Sequence, residues 1–354
     1  MKNNMDFKRE RKMKALKIGM VFLLGMVLAG AGLFAAGGQP KPSDAAPSGP
    51  PSGTIVVYTS VPQNLIDEYT TEFRKHLPDI TVEVYRAATG DIMAKLSAER
   101  QARAPSADVV WLADGASAVM LKNQGLLARF VSSEDAYIPA SMKDKDYNFY
   151  GSRVINMVLA YNTQAIQTKP TSWNDLLNPA YRGKIGIPNV TSGTSYAFVG
   201  NLVAHPDFKW KFFEDMRANG GMRVAANADA VRSLATGEFV LTIVLDYMIK
   251  EARDNGSPVD YVIPKEGAVV VVSPIGLTSV SRNPNAAGAF INYVLSAEGM
   301  AMLHKQGVVT ARSDIKPPPG VPLVQDIHAF PEDSDFLNNS FEEIYRRFEE
   351  IFGR

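Results

Sequence analysis

The 354-residue sequence contains no cysteine, so it relies on no disulfides and offers no cysteine for lipid attachment. It also lacks a Gly-x-Ser-x-Gly elbow, a Walker loop and a Gly-x-Gly-x-x-Gly turn after its first predicted strand. No histidine stands at metal-ligand spacing from another histidine or a glutamate; the four are His76, His205, His304 and His328. These absences argue against a catalytic constellation, and we expect neither an enzyme nor a cofactor.

The amino-terminal residues have the order of a secretory signal. Residues 2–17 carry seven basic and two acidic side chains, and residues 18–36 are uncharged and end in small residues. We therefore predict a signal peptide at 1–36, or an anchor if it stays uncleaved, because the apolar run approaches the roughly 20 residues of a membrane span. The Gly-, Pro- and Ser-rich segment 37–53 is predicted to be a flexible linker. The protein is expected to work outside the cytoplasm, in the periplasm or its equivalent.

Charge and size narrow the class of the remaining chain. Without residues 1–36 the formal net charge falls from 0 to about −5, which argues against a nucleic-acid binder. About 300 residues exceed the usual size of a single hydrophobic core, so two lobes are expected.

Strands and helices alternate along the chain, which predicts an α/β fold with a mostly parallel sheet flanked by helices. The predicted strands are 54–59, 80–85, 108–112, 154–161, 184–187, 239–245, 269–272 and 276–280. Helices are predicted between the first three strands, and then at about 194–204, 208–220, 227–236, 285–295, 297–306 and 335–352.

Polar turns follow several of these strands. Ser60 closes the first strand, Thr89 follows the second and Asp114 follows the third. Ligands of open α/β sheets lie beyond the carboxyl ends of the strands, where helix N-termini offer free N–H donors to an anion. Taken singly, each of these turns is better explained as a helix N-cap, because Ser, Thr and Asp are good capping residues.

The richest turn is 189–196, in which Ser192, Gly193 and Thr194 precede an apolar helix. Hydroxyl and backbone donors can converge there without a Cβ in the way, which suits a phosphoryl, phosphonate or carboxylate group. Asn227, which opens another helix, and the pair Asp246 and Tyr247, which follows the strand 239–245, are further candidates. Asp246 could face a ligand amine or simply water.

The order of these segments resembles the extracytoplasmic solute-binding proteins of ABC importers, in the cluster that holds ferric-ion, phosphonate and sugar-phosphate binders. The resemblance covers nearly all of residues 54–354. The motifs that carry it are Val57-Tyr58-Thr59-Ser60, Ser106-Ala107-Asp108-Val109-Val110-Trp111, Gly125-Leu126-Leu127, Ser172-Trp173-Asn174-Asp175-Leu176, Tyr181-Arg182-Gly183-Lys184-Ile185, Thr191-Ser192-Gly193-Thr194, Gly237-Glu238, Asp246-Tyr247 and Ser296-Ala297-Glu298-Gly299.

The resemblance implies the two-lobed type II periplasmic-binding fold, in which crossover hinge strands join the lobes and the lobes close on the ligand. The first lobe would comprise 54–157 and 275–354, and the second 158–274. The implied partners are a small anionic solute and a membrane ABC permease, with no nucleic acid, and the implied state is a monomer.

The iron-binding members use two adjacent tyrosines, usually with a histidine and a glutamate. Here the tyrosine pair falls on Asp246-Tyr247, the histidine's place reads Val61-Pro62-Gln63 and the glutamate's place reads Ala113-Asp114. The family's anion-holding turn is intact as Ser192-Gly193-Thr194, with Asn227 as its partner. We therefore expect an organic phosphate or phosphonate, such as aminoethylphosphonate or a sugar phosphate, and favour no metal site.

Three alternatives remain open on the sequence. Ferric iron would be bound by Tyr247, Asp246 and Asp114 with an exogenous anion. An exported enzyme acting on phosphate esters could use the same scaffold, although it would lack the usual nucleophile or metal cluster. A sensor would hand its ligand to a membrane receptor instead of a permease.

Overall fold

The computed structural model describes residues 50–312, 314–317 and 322–353. The predicted signal peptide and residues 37–49 of the predicted linker lie outside the described residues. The strands of the described residues are β1 (Gly53–Thr59), β2 (Ile80–Arg86), β3 (Val109–Trp111), β4 (Tyr150–Asn162), β5 (Ile185–Pro188), β6 (Met222–Val224), β7 (Leu241–Leu245), β8 (Val259–Val262), β9 (Val269–Leu277) and β10 (Val309–Thr310). The α-helices are α1 (Gln63–His76), α2 (Thr89–Gln101), α3 (Gly115–Asn123), α4 (Gly193–Ala204), α5 (Lys209–Ala218), α6 (Asn227–Thr236), α7 (Asp246–Asp254), α8 (Pro284–Leu295), α9 (Ala297–Lys305), α10 (Ser334–Asn339) and α11 (Phe341–Phe352).

The strands form one sheet in the order β2-β1-β3-β9-β4-β7-β5-β6, with β8 and β10 each pairing with β4. At one end β1 is parallel to both β2 and β3, and at the other β5 is parallel to both β6 and β7. Between these groups β4 and β9 pair in antiparallel fashion from Tyr150 with Ile275 to Met157 with Val269. The expected α/β fold with mostly parallel groups of strands and flanking helices is confirmed.

The two central strands are longer than the sequence predicts. All 13 residues of β4 are buried, which explains why its apolar run was visible. The predicted break between 269–272 and 276–280 is wrong, because β9 runs unbroken through Ser273 and Pro274. The Ser273 hydroxyl is bonded on both sides, and Pro274 pairs at a register shift next to Gly151, where a missing N–H is tolerated.

Helix α4 is buried over eleven of its twelve residues. It contacts β9 together with α5, α10 and α11, so it has cover on several sides. A helix that is apolar all round is stable only when it is surrounded in this way. Its first turn is therefore held rigidly by the core behind it.

The carboxyl-terminal segment differs from the prediction of one helix over 335–352. The chain forms α10 and α11, which are separated at Ser340, and the Asp333 carboxylate caps α10 by accepting from the N–H of Phe336 at 2.8 Å. Helix α11 contacts α4 and α5, and Arg347 makes an ion pair of 2.6 Å with Glu214. The last helix thus rests on elements of the 158–274 segment.

Helices α8 and α9 agree with the predicted 285–295 and 297–306 to within about a residue at each end. The Ser296 hydroxyl stands between them and accepts from the N–H of Gly299 at 3.1 Å. No single helix in the described part of the chain has both the length and the apolar character of a membrane span. The pair α8 and α9, bent by 54°, meets both criteria only when the two are taken together.

Candidate functional site

The residues that the sequence singled out all lie where a strand ends or a helix begins. Ser60 follows β1 directly, Thr89 is the first residue of α2 and Asp114 is the N-cap of α3. Ser192 is the N-cap of α4, and Gly193 and Thr194 are the first two residues of that helix. Asn227 opens α6, and Asp246 with Tyr247 opens α7. The structure brings six of them into one cluster: Thr89, Asp114, Ser192, Gly193, Thr194 and Asn227.

The start of α4 carries unused hydrogen-bond donors. Among the contacts that the structure describes, the backbone N–H groups of Gly193, Thr194 and Ser195 have no partner. The Asn227 amide Nδ2 donates to the Ser192 hydroxyl at 3.0 Å and to the Thr194 hydroxyl at 3.2 Å. This side chain therefore fixes two hydroxyls beside three free N–H groups and the positive end of the helix dipole.

The other wall of this cluster is formed by the starts of α2 and α3. A Cβ atom on Gly193 would come within 2.1 Å of Asp114 Oδ2 and 3.0 Å of Thr89 Oγ1. The N–H of Gly90 donates to the carbonyl of Thr191 at 3.0 Å. Only a glycine permits this approach, so the segment before 157 and the segment 158–274 are in direct contact here.

Asp114 supplies the carboxylate at this contact. Its oxygens accept from the N–H and the hydroxyl of Ser117 at 2.8 and 3.0 Å. Burial raises the pKa of Asp114 to about 6, against the opposing effect of the two bonds from Ser117. A carboxyl group that gains and loses its proton near neutral pH thus faces the start of α4.

The Asp246 carboxylate already has hydrogen-bond partners within the protein. It accepts from the Asn156 side-chain amide at 2.7 Å and from the N–H of Tyr247 at 2.8 Å. Burial raises the pKa of Asp246 to about 6, and the bonds from Asn156 oppose the rise. The sequence left open whether this carboxylate faces a ligand amine or water, and the structure gives it Asn156 as its partner.

A residue that sequence reasoning missed lies beside Tyr247. The Arg153 guanidinium is buried in β4 next to the Tyr247 phenol, and its Nε donates to the Ser273 hydroxyl at 3.1 Å. Burial raises the pKa of Tyr247, while the neighbouring Arg153 acts in the opposite direction. The only signal in the sequence was a charged residue directly before the apolar run 154–161.

Unpaired polar atoms concentrate around these turns. In the described part of the chain six buried side-chain polar atoms have no hydrogen-bond partner; they belong to Ser60, Arg153, Asn156, Ser195, Asn227 and Trp210. All but Trp210 lie in the candidate turns, directly behind them in α4, or in β4 next to the start of α7. An unpaired buried polar atom is unfavourable unless a ligand or a water completes it, so each of these atoms is available to such a partner.

The side chains that the metal alternative would use already have neighbours in this chain. Within residues 50–353, as far as they are described, no group of three or more His, Cys, Asp or Glu side chains is arranged to hold a metal ion. Of the three residues that ferric binding would use, Tyr247 lies beside a guanidinium and Asp246 is bonded to Asn156.

A fold with two groups of parallel strands joined by long crossover strands, and with polar helix starts meeting between them, defines a periplasmic binding protein. The family model described as bacterial extracellular solute-binding protein matches residues 64–331. The chain belongs to this family.

Three solved structures are similar to the chain along most of its length. The periplasmic binding protein P5PA has a TM-score of 0.76 and 24% identity, and the match covers 85% of this chain and all of that one. AfuA from Actinobacillus pleuropneumoniae, with exogenous fructose-6-phosphate bound, has a TM-score of 0.78 and 21% identity over 85% of this chain and 99% of that one. Iron-bound HitA from Pseudomonas aeruginosa has a TM-score of 0.74 and 20% identity, and the match covers 84% of this chain and 99% of that one. At these identities the likeness shows the two-lobed fold.

The family assigns the chain its general role. It is a solute-binding component of an ABC transporter, it takes a small solute as ligand and a membrane permease as partner, and it works in the periplasm. Its relatives are binding proteins of transporters and not enzymes.

Proposed function

We propose that this protein captures a small anionic solute through a phosphate or phosphonate group and delivers it to its permease. The observation that carries the proposal is the start of α4, where three partnerless N–H groups stand beside hydroxyls held by Asn227. A phosphate oxygen accepts several hydrogen bonds at once and is stabilised by the positive end of a helix dipole. The site needs no lysine or arginine for this task.

Thr89 and Asp114 would meet the same anion from the opposite wall. Both side chains reach the space that a Cβ on Gly193 would occupy, so a group bound at the start of α4 would touch them when the site is closed. Because burial raises the pKa of Asp114 to about 6, its neutral form is available at mildly acidic pH and can donate a hydrogen bond to a phosphate oxygen.

We further propose that the two lobes divide within the central strands, between 157 and 158 in β4 and between 274 and 275 in β9. The contact from Gly90 N–H to the Thr191 carbonyl would then join the lobes in the closed form. Helix α11 belongs to the segment 275–354 that the sequence assigns to the first lobe, but it contacts α4 and α5, so it would move with the second. A ligand that touches both walls would favour closure over opening.

Titration calorimetry on the purified protein tests the proposal. We expect inorganic phosphate, aminoethylphosphonate or glucose 6-phosphate to bind, and Asn227→Ala to weaken that binding at least tenfold. Asn174→Ala is the matched control, because Asn174 is exposed in the short 3-10 helix Trp173–Leu177 and bonds through its backbone N–H to the Ser172 hydroxyl. Tight binding of ferric ion alone, with a purple-red tyrosinate absorption band, would overturn the proposal. Turnover of a chromogenic phosphate ester would overturn it in favour of an enzyme that acts on phosphate esters.

A further inference from the structure

Arg153 carries a positive charge in the interior without a negative partner. Its side chain is 2% exposed, and its Nη1 is one of the buried atoms that have no hydrogen-bond partner. No carboxylate of the described residues lies within ion-pair distance of it, and its polar neighbours are two neutral groups: the Ser273 hydroxyl, which accepts from its Nε at 3.1 Å, and the Tyr247 phenol.

Arg312 is a second buried arginine of this protein, and its charge is paired with carboxylates. It is 6% exposed, and it makes ion pairs with Glu134 at 2.6 Å and with Asp314 at 2.8 Å. Buried charges in proteins are normally paired in this manner, because an isolated charge loses its hydration without compensation. Arg153 has the burial of Arg312 without its partners.

The guanidinium remains charged even so. Burial lowers the pKa of Arg153, and the neighbouring Tyr247 and Tyr69 oppose that change. An arginine side chain nevertheless keeps its proton in proteins, so this positive charge has no opposite charge among the described contacts.

Arg153 also lies near the candidate site. It is three residues before Asn156 in β4, and Asn156 bonds to Asp246 at the start of α7. In the sheet, β7 separates β4 from β5, and α4 begins a few residues beyond β5. The Ser273 hydroxyl that accepts from Arg153 donates in turn to the carbonyl of Leu112, two residues before Asp114, so the guanidinium is linked to the wall that faces the start of α4.

We propose that Arg153 binds a second anionic group of the solute, a carboxylate or another phosphate, so that the solute is negative at both ends. This inference rests on the proposed function, in which the start of α4 holds the first phosphate. It selects a phosphorylated carboxylic acid over an aminophosphonate, because the guanidinium repels an ammonium group and Asp246 is already bonded to Asn156. It also disfavours a bare metal cation beside Tyr247 for the same electrostatic reason.

A matched pair of probes tests the inference without any substitution. 3-Phosphoglycerate and glycerol 3-phosphate share the phosphate and the three-carbon chain, and they differ in a terminal carboxylate against a hydroxymethyl group. We expect calorimetry to show at least tenfold tighter binding of 3-phosphoglycerate. Equal binding of the two would overturn the role of Arg153 and leave the proposed function standing. Failure of both, and of inorganic phosphate, would overturn the proposed function and this inference with it.

Substitution of the arginine provides the second measurement. We expect Arg153→Gln to bind both probes with similar affinity, near that of the native protein for glycerol 3-phosphate, and Arg153→Lys to keep part of the preference. Without ligand, Arg153→Met should melt at the native temperature or above, since it removes an uncompensated buried charge. Arg312→Met is the control and should melt lower, because it leaves Glu134 and Asp314 without their cation. A preference that survives in Arg153→Gln, or an Arg153→Met protein that melts well below the native one, would show that the arginine is structural.

Discussion

The Asp114 carboxylate lies against the Cα of Gly193, so one acidic group stands at the start of two helices. It caps α3 through the N–H of Ser117, and its Oδ2 occupies the space that a side chain at position 193 would need. The hydrogen bonding of α3 and the start of α4, where we propose that the anion binds, are therefore coupled through a single carboxyl group.

The first prediction concerns this close approach. Gly193→Ala places a methyl group where Asp114 Oδ2 would be 2.1 Å away, and the neighbouring Ala113 and Thr89 leave no room to shift. We expect at least a tenfold loss of affinity for a phosphate-bearing ligand in calorimetry. Gly115→Ala is the control, because no atom lies within 4 Å of its added Cβ, and it should bind as the native protein does. Equal effects of the two changes would contradict the closed contact.

The second prediction is a dependence of anion binding on pH. Because burial raises the pKa of Asp114 to about 6, this carboxyl group is neutral below that value and negative above it. We expect affinity for sulfate, which keeps its charge over this range, to fall severalfold as pH rises from 5 to 8. Asp114→Asn should give a flat profile. Asp246 titrates in the same range, so a slope that persists in Asp114→Asn would assign the effect to Asp246 instead.

The third prediction concerns stability and pH. The pKa of Asp114 is raised to about 6 in the folded chain, above the ordinary value of 3.8, so the folded state holds a proton that the unfolded state has lost. Its stabilising contribution is complete below about pH 4 and disappears as pH rises through about 6. Asp114→Asn should therefore raise the free energy of unfolding at pH 7.5 by on the order of 2 kcal/mol, while it keeps a capping oxygen. Urea unfolding of the native protein and of Asp114→Asn at pH 5 and 7.5 measures this. If the free energy of unfolding changes between the two pH values by the same amount in both proteins, the prediction is wrong.

The fourth prediction separates structural from ligand-binding residues. Asp246→Ala leaves the Asn156 amide and the N–H of Tyr247 without their acceptor, so we expect a loss of about 1–3 kcal/mol in the ligand-free protein. Ser192→Ala removes a half-buried hydroxyl whose hydrogen-bond partners among the described residues are the Asn227 and Thr194 side chains, and it should leave the melting temperature nearly unchanged while weakening binding. Thermal melts of both ligand-free variants measure stability, and calorimetry measures their affinity for the anion. A large destabilisation by Ser192→Ala would show that its hydroxyl is a structural cap.

The sequence predicts the strands that have their own continuous apolar pattern. Segments 54–59, 80–85 and 108–112 appear as β1, β2 and β3 within one or two residues. The short strands β6, β8 and β10 were not predicted, because two to four residues carry no recognisable period and become strands only by pairing with neighbours. The predicted strand 239–245 begins only at Leu241, since Phe239 and Val240 are buried outside the ladder.

The sequence also places the candidate residues at helix starts, because capping residues after apolar strands are a local signal. Their contacts are not local. Asp246 meets Asn156 across 90 positions of the chain, and Asn227 meets Ser192 across 35. Arg153 is the clearest limit, because its distinguishing property is the lack of a carboxylate neighbour, which only the folded arrangement reveals.

The cover of α4 is completed by the end of the chain. Its Tyr196 hydroxyl donates to the carbonyl of Leu337 at 2.5 Å, and its ring packs against Phe341 and Tyr345 of α11. This apolar helix therefore remains partly uncovered in a folding chain until α10 and α11 have docked on it. The core around α4 is complete only when α11 is in place. A truncation that removes α11 should therefore yield an aggregating product instead of a smaller folded protein.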